Sequence, residues 1–130
     1  MLQRTAPRVT LSAPFDVAGL CRDQEAADAR SFDRRCDVDV SAGWRRALKE
    51  TMREVRDGIS RLRAASLWLV PTGDHLADFR ATLRSFERLQ NPRRDAQSIH
   101  CFDGAAHELH NEPAPLRREV FDICVPWIER

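Results

Sequence analysis

Several features that would assign this chain to a common functional class are missing from its sequence. Positive charge is not in excess, since 21 Lys and Arg residues are balanced by 20 Asp and Glu residues, for a net charge of +1. This balance argues against a polyanion-binding tail or a nucleic-acid surface. Lysine is nearly absent: the chain has one Lys, Lys49, and 20 Arg. We interpret this as a coding bias, with the charges on solvated faces in local ion pairs.

Long apolar segments and cysteine motifs are missing as well. The longest nearly apolar stretch, Ala64–Val70, is far shorter than the roughly 20 residues of a membrane helix, so no transmembrane segment is expected. Residues 1–15 contain Arg4, Pro7 and Arg8 and no apolar core, which argues against a secretory signal. The four cysteines form no Cys-x-x-Cys pair. We therefore expect reduced thiols in a cytoplasmic protein, rather than a zinc knuckle or a disulfide scaffold.

Apolar residues at helical spacing predict a long amphipathic helix from Trp44 to about Arg63, with Ser41 as its N-cap. We interpret its apolar stripe as part of the core. Residues 1–42 are expected to be irregular, apart from a short helix over Cys21–Ala29, which is rich in good helix formers. The stripe is formed by Trp44, Leu48, Met52, Val55, Ile59 and Leu62.

Two further helices are predicted in the second half of the chain. Leu76–Leu89 carries an amphipathic pattern that ends at Asn91-Pro92, and Asp78 is a candidate N-cap. Leu116–Trp127 carries the pattern of a last helix.

Two short apolar runs between these helices predict strands. Ser66–Thr72 (SLWLVPT) is expected to be buried on both faces, as in a parallel sheet, and Gln97–Phe102 (QSIHCF) is the second candidate. The order helix, strand, helix, strand, helix predicts one α/β domain with parallel strands.

Asp74 and His107 stand just after these two predicted strands. Parallel strands joined by a right-handed crossover end at the same edge of the sheet, where α/β proteins place their sites. Adjacent strands lie roughly 4.8 Å apart, so the two side chains are within reach of each other. A carboxylate that accepts a hydrogen bond from a histidine Nδ1–H fixes the tautomer of the ring, as in the acid–histidine half of a hydrolase triad.

The amino-acid sequence of residues 67–89 and 99–129 resembles the C-terminal part of α/β-hydrolases of the lysophospholipase and monoacylglycerol lipase type, the serine aminopeptidase S33-like group. Two motifs carry the resemblance. Gly73–Asp78 (GDHLAD) is similar to the family's Gly-Asp element with a second Asp four residues later. Gly104–Glu112 (GAAHELHNE) is close to its Gly-x-x-His-Glu-x-x-Asn-Glu loop. Leu20–Asp23 and the segment from Asp33 to Trp44 are similar to the family's cap and its return to the core.

This resemblance implies a partial α/β-hydrolase fold: the C-terminal parallel strands with flanking helices, plus part of the cap. Residues 1–42 would be a cap remnant and linker, and residues 43–130 the C-terminal segment of the core. Asp74 would be the triad acid and His107 the general base, with no metal or other cofactor. The supporting residues would be Glu108, Asn111, Glu112 and Asp78. The implied substrate is a small lipid ester, and no nucleic-acid partner is implied.

The serine of such a triad precedes the acid in the chain, within a Gly-x-Ser-x-Gly elbow. No such elbow occurs in these 130 residues; the nearest approach, Gly58–Leu62, lacks the second glycine. We therefore expect this chain to be the C-terminal segment of a serine esterase and to be inactive alone. It would be the product of a truncated or mis-started gene, or a decayed paralogue. A border strand of such a segment would have lost its neighbour, which favours self-association through an exposed sheet edge.

Two other interpretations stay open. The pair His107 and His110 suggests zinc, but the zincin motif needs His-Glu-x-x-His on a helix. Here the second histidine comes one residue early, in a segment bounded by Gly104 and Pro113, so no metal is expected. The alternative from a different class is a non-catalytic binding or dimerising module derived from a hydrolase.

Overall fold

The computed structural model describes residues 6–12, 19–33, 39–89 and 96–130. They form four strands and four α-helices, with 3₁₀ turns at Ile59–Arg61 and Leu109–Asn111. The elements are β1 (Thr10–Ser12), α1 (Gln24–Phe32), β2 (Asp39–Ser41), α2 (Ala42–Gly58), β3 (Ser66–Pro71), α3 (Phe79–Glu87), β4 (Gln97–Phe102) and α4 (Ala114–Ile128).

Strands β3 and β4 pair in parallel, joined by the crossover that contains α3. Their register runs from Ser66 opposite Gln97 to Pro71 opposite Phe102. Both strands therefore end level with each other, and the loops that follow them leave from the same edge of the sheet. The predicted α/β class with parallel strands is confirmed, and β4 has the predicted bounds.

Helices α3 and α4 both contact β3. The ring of Phe86 on α3 meets Trp68 of β3 edge to face, with 5.7 Å between ring centroids. A cluster of buried residues joins β4, the loop after it and α4, and side chains of β3 and α4 pack around it. The cluster is Phe102, Ala105, Leu109 and Val120, surrounded by Leu69, Leu116, Ile123 and Cys124. Burial of these residues holds the loop after β4 in place from below.

The expectation that β3 is buried on both faces is wrong. Val70 is buried, whereas the other residues of the strand are only half-buried. Within the described residues β3 has one strand neighbour, β4, so the helices cover only part of its surface. An apolar run tells how suited a strand is to burial, but the neighbours that would bury it are set by the tertiary structure.

The predicted N-cap of helix α2 is confirmed, since the Ser41 hydroxyl accepts a hydrogen bond of 3.1 Å from the Trp44 N–H. The helix begins at Ala42 rather than Trp44, and it ends at Gly58, where a 3₁₀ turn follows, rather than near Arg63. The interpretation of its apolar stripe as core is wrong, however. Trp44, Met52 and Val55 are 52%, 62% and 58% exposed. The helix contacts β2 and the 3₁₀ turn after it, and of the stripe only Ile59 and Leu62, at its end, are partly buried.

The described residues before position 42 are more regular than predicted. Strands β1 and β2 form an antiparallel pair, with Leu11 opposite Val40. The short helix was expected over Cys21–Ala29 but runs from Gln24 to Phe32, because the Asp23 carboxylate caps it by accepting a hydrogen bond from Ala26 N–H. Three-residue strands carry too few alternating positions to be recognised in a sequence.

Helix α3 is shorter than the pattern that predicted it. Asp78 is its N-cap, as expected, and accepts a hydrogen bond of 3.0 Å from the Arg80 N–H. The helix ends at Glu87, and Leu76 lies in the loop before it. The predicted stop signal, Asn91-Pro92, lies outside the described residues.

Candidate functional site

The loops after β3 and β4 bring Asp74 and His107 into contact. His107 Nδ1 lies 2.7 Å from the Oδ2 of Asp74, although 33 positions separate the residues. The carboxylate is almost buried, with 5% of its side chain exposed, whereas the imidazole is 42% exposed. One face of the pair is thus anchored in the protein and the other can be reached from solvent.

Backbone hydrogen bonds tie the two loops together beneath this pair. Thr72 N–H donates to the Phe102 carbonyl and Gly73 N–H to the Ala105 carbonyl, each at 3.0 Å. In the other direction, Gly104 N–H donates to the hydroxyl of Thr72 at 2.9 Å. The acid and the histidine are therefore carried by one hydrogen-bonded unit.

Two glycines allow this close approach. A Cβ at Gly73 would lie 2.7 Å from the carbonyl oxygen of Gly104, which is closer than real Cβ contacts occur. Gly104 itself has φ +64°, in the left-handed region that L side chains rarely adopt. These glycines belong to the motifs singled out in the sequence, and the structure supplies the steric reason for them.

Asp74 has both carboxylate oxygens engaged. While Oδ2 faces His107, Oδ1 accepts hydrogen bonds from the N–H groups of Leu76 and Ala77, at 2.7 and 3.1 Å. Burial by itself would raise the pKa of this carboxyl, but the hydrogen bonds from His107 and the two N–H groups outweigh it and hold the pKa below its ordinary value. Asp74 is accordingly an anion that accepts from His107 at neutral pH.

Glu112 lies beneath the histidine loop and is fully buried. Its Oε1 accepts hydrogen bonds from the N–H groups of Ala106 and Arg22, at 3.2 and 3.1 Å. Its Oε2 accepts one from the Nε of Arg22 at 2.5 Å. The carboxylate thereby joins the residue before His107 to a segment about 90 positions earlier in the chain.

Glu108 and Asn111 stabilise the other end of the same loop. Asn111 donates to Glu108 twice, from its side-chain amide to Oε2 at 2.7 Å and from its backbone N–H to the carbonyl at 2.8 Å. Arg30 on α1 pairs with the Glu108 carboxylate at 3.3 Å. Asp78 has a different place, because it caps α3 and pairs with Arg84.

Arg22 is the site residue that sequence reasoning missed. In the sequence, its segment Leu20–Asp23 shows only a similarity to the family's cap. Nothing in the spacing of Arg22 and Glu112 indicates a contact, since α1, β2, α2, β3, α3 and β4 all lie between them in the chain. A buried carboxylate needs partners, but which arginine supplies them is decided by the fold.

Neither zinc geometry nor a nucleophile elbow is found in the described part of the chain. No group of three or more His, Cys, Asp or Glu side chains there is arranged to hold a metal ion. Gly58–Leu62, the nearest approach to an elbow, spans the end of α2 and a 3₁₀ turn rather than a strand-to-helix turn. Among the described residues, no helix has the length and apolar character of a membrane span.

The arrangement defines an acid–base pair of the kind used in acyl transfer. A histidine that donates its Nδ1–H to a carboxylate keeps the lone pair of Nε2 free to take a proton. The half-exposed ring of His107 leaves room for a reacting group. The strand ends, the Asp–His pair and the loop motifs together are those of the α/β-hydrolase class.

Comparisons with known proteins agree with this class. The sequence pattern of the serine aminopeptidase S33 family matches residues 1–114. The chain therefore belongs to that family, and the resemblance stated from the sequence is confirmed. A comparison with curated protein sequences gives no match.

Solved structures extend the likeness to the fold. A crystal structure of a monoacylglycerol lipase from Paleococcus ferrophilus superimposes with a TM-score of 0.88 at 26% identity, over 98% of this chain and 48% of that one. A soluble variant of monoglyceride lipase from Saccharomyces cerevisiae, bound to a substrate analogue, gives a TM-score of 0.79 at 14% identity, over 98% and 46%. The chain spans about half the length of the solved structures it matches.

Proposed function

We propose that this chain carries the acid and the base of a Ser-Asp-His triad in an ester hydrolase. The substrate class is a small lipid ester, a monoacylglycerol or a lysophospholipid. The single observation that carries the proposal is the 2.7 Å contact between Asp74 Oδ2 and His107 Nδ1 at the ends of two parallel strands. The likeness to two monoacylglycerol lipases supports the substrate class.

In this mechanism His107 acts first as a base and then as an acid. Its Nε2 takes the proton of a serine hydroxyl as the oxygen attacks the ester carbonyl, and it returns that proton to the leaving alcohol. A water molecule, deprotonated by the same nitrogen, then attacks the acyl carbonyl. The bond from that carbon to the serine oxygen breaks, the carboxylic acid leaves, and Nε2 returns the proton to the serine oxygen. Asp74 holds the ring in orientation and stabilises the imidazolium at each stage. No step uses a metal or an organic cofactor.

We further propose that the serine of the triad lies outside these 130 residues and that the chain is inactive by itself. The absence of a Gly-x-Ser-x-Gly elbow supports this, because the nucleophile and the oxyanion donors provide most of the rate acceleration in such catalysis. In this proposal, residues 43–130 form the C-terminal segment of the hydrolase core and residues 1–42 a cap remnant and linker.

A fluorophosphonate probe tests the claim of inactivity on the chain as it stands. We expect no mass increase after treatment of the folded protein. A stoichiometric adduct that the substitution His107→Ala removes would mean that the chain holds its own nucleophile, and the proposal would then be wrong.

A chimera tests the roles of Asp74 and His107. The part of the Paleococcus ferrophilus lipase that matches this chain is replaced by it, and release of glycerol from a monoacylglycerol is followed. We expect Asp74→Asn to lower kcat by about 10⁴-fold, because the ring loses its correct tautomer. His110→Ala is the matched control, since His110 is an exposed histidine of the same loop. An active chimera that is insensitive to His107→Ala would contradict the assignment.

A second candidate, a dimerising module, is favoured by the exposed apolar surface. Trp44, Met52 and Val55 are more than half exposed, and β3 has one strand neighbour among the described residues. Self-association through these surfaces predicts a dimer in light scattering that Met52→Glu dissociates. A monomer at all concentrations would exclude it.

A further inference from the structure

The segment Leu20–Arg22 touches the histidine loop on both sides of His107. On one side, Ala106 N–H donates to the Glu112 carboxylate, which Arg22 holds through its backbone N–H and its Nε. On the other side, Glu108 N–H donates to the carbonyl of Leu20 at 2.7 Å. Of the two residues that flank the base in the chain, Glu108 is thus held directly by this distant segment, and Ala106 is held by it through Glu112.

This contact is a buried one. Leu20 and Cys21 are 2% and 5% exposed, and Glu112 is fully buried, whereas the Arg22 side chain is half exposed. Burial also raises the pKa of the Cys21 thiol. A buried carboxylate needs hydrogen-bond and charge partners, and Arg22 supplies both to Glu112 beneath the loop.

We propose that Arg22 is a positioning residue for His107, acting through Glu112. This inference rests on the proposed function, in which His107 is the base. When the guanidinium is removed, Glu112 loses its hydrogen bond and ion pair with the Nε of Arg22, so its carboxylate is held less firmly against the Ala106 N–H. His107 then loses its fixed position against Asp74, and small displacements of a catalytic group lower rates strongly.

The hydrogen bond between Asp74 and His107 gives a readout that needs no nucleophile. The Nδ1–H proton of His107 is followed by ¹H–¹⁵N NMR of the complete chain, and its exchange rate with water is measured. Loss of this signal in Asp74→Asn shows that the pair forms in solution. A wild-type chain without the signal, or one in which Asp74→Asn leaves it unchanged, overturns the pair itself and with it the proposed function.

With the pair present, Arg22→Met tests the positioning role. We expect the Nδ1–H of His107 to exchange with water about tenfold faster, because its hydrogen bond to the Asp74 carboxylate is weakened. Arg84→Met is the control, because Arg84 likewise pairs with a carboxylate, that of Asp78, but both side chains of that pair are exposed. An unchanged exchange rate in folded Arg22→Met, with the Asp74 dependence intact, overturns the role of Arg22 alone.

If Arg22→Met does not fold, the same substitution is tested in a chain that already carries Glu112→Gln. Glu112→Gln removes the buried charge but keeps an oxygen that accepts from Ala106. In this background Arg22→Met is expected to change the exchange rate by less than about twofold, because the charge it neutralises is gone. An additional tenfold effect there would mean that Arg22 does not act through Glu112, and the inference would be wrong.

Discussion

The backbone N–H of Gly73 donates a hydrogen bond of 3.0 Å to the carbonyl oxygen of Ala105, across the ends of two parallel strands. Each residue stands close in the chain to one member of the acid–histidine pair, so this bond sets the distance between Asp74 and His107. It forms only because the two backbones approach closely, and that approach depends on the missing side chain at position 73.

Substitution of this glycine is expected to separate the loops. In Gly73→Ala the new methyl would lie within 3 Å of two backbone carbonyls, those of Gly104 and Ala105. We expect a loss of about 1–3 kcal/mol in the free energy of unfolding, measured by urea titration, because backbone must move to make room.

Gly58→Ala is the control for that substitution. Its added Cβ would meet only the end of the flexible Arg61 side chain. Since alanine is favoured over glycine in a helix by roughly 0.5–1 kcal/mol, this variant is expected to be neutral or more stable. Equal destabilisation by the two substitutions would show that the close approach at Gly73 is not what matters.

The stability of the chain in acid is expected to depend on Asp74. Its pKa in the folded protein is held below its ordinary value, so its contribution is fully present above the unfolded pKa and is lost as the pH falls through the lowered pKa. The difference in unfolding free energy between the wild type and Asp74→Asn should be about 1–3 kcal/mol near neutrality and should shrink below about pH 4. A difference that stays constant between pH 6 and pH 2.5 would contradict the depressed pKa.

The apolar stripe of α2 is expected to add little to the stability of the isolated chain. Met52 is 62% exposed, so Met52→Ala should change the free energy of unfolding by less than about 0.5 kcal/mol. Val120, 4% exposed in the core, is the matched comparison, and Val120→Ala should cost about 1–3 kcal/mol. Comparable costs in urea titrations would mean that α2 is covered in solution.

The cysteines are expected to react at very different rates. Cys101 is exposed, whereas Cys21 is buried and its pKa is raised by that burial. Because the thiolate is the reactive form, alkylation of Cys101 by iodoacetamide at pH 7.5 should be at least about tenfold faster, as followed by peptide mass spectrometry. In denaturant the two rates should become similar. Equal rates in the native protein would place Cys21 at the surface.

Local patterns were sufficient for much of the architecture. Strand β4 and the starts of α2 and α3 follow from an apolar run, the Ser41 cap and the Asp78 cap, all of which act within a few residues. The positions of Asp74 and His107 just after two parallel strands could likewise be inferred, because strand order and crossover geometry place both at one sheet edge.

Other features depend on residues far apart in the chain. The bond between Arg22 and Glu112 and the pairing of β1 with β2 leave no periodic signal in the sequence. The exposure of the α2 stripe could not be predicted either. An amphipathic pattern indicates that a helix face is suited to burial, but it does not indicate whether another element packs against that face.

The amino-acid sequence thus determines the parallel unit, its caps and the two loops that hold the acid and the histidine, because hydrogen bonds and spacings of short range specify them. Long-range packing determines which arginine stabilises Glu112, how closely Gly73 approaches Gly104, and which apolar faces remain exposed. Those contacts join segments far apart in the chain, and the entropy lost in bringing such segments together is offset only by the packing of the complete fold.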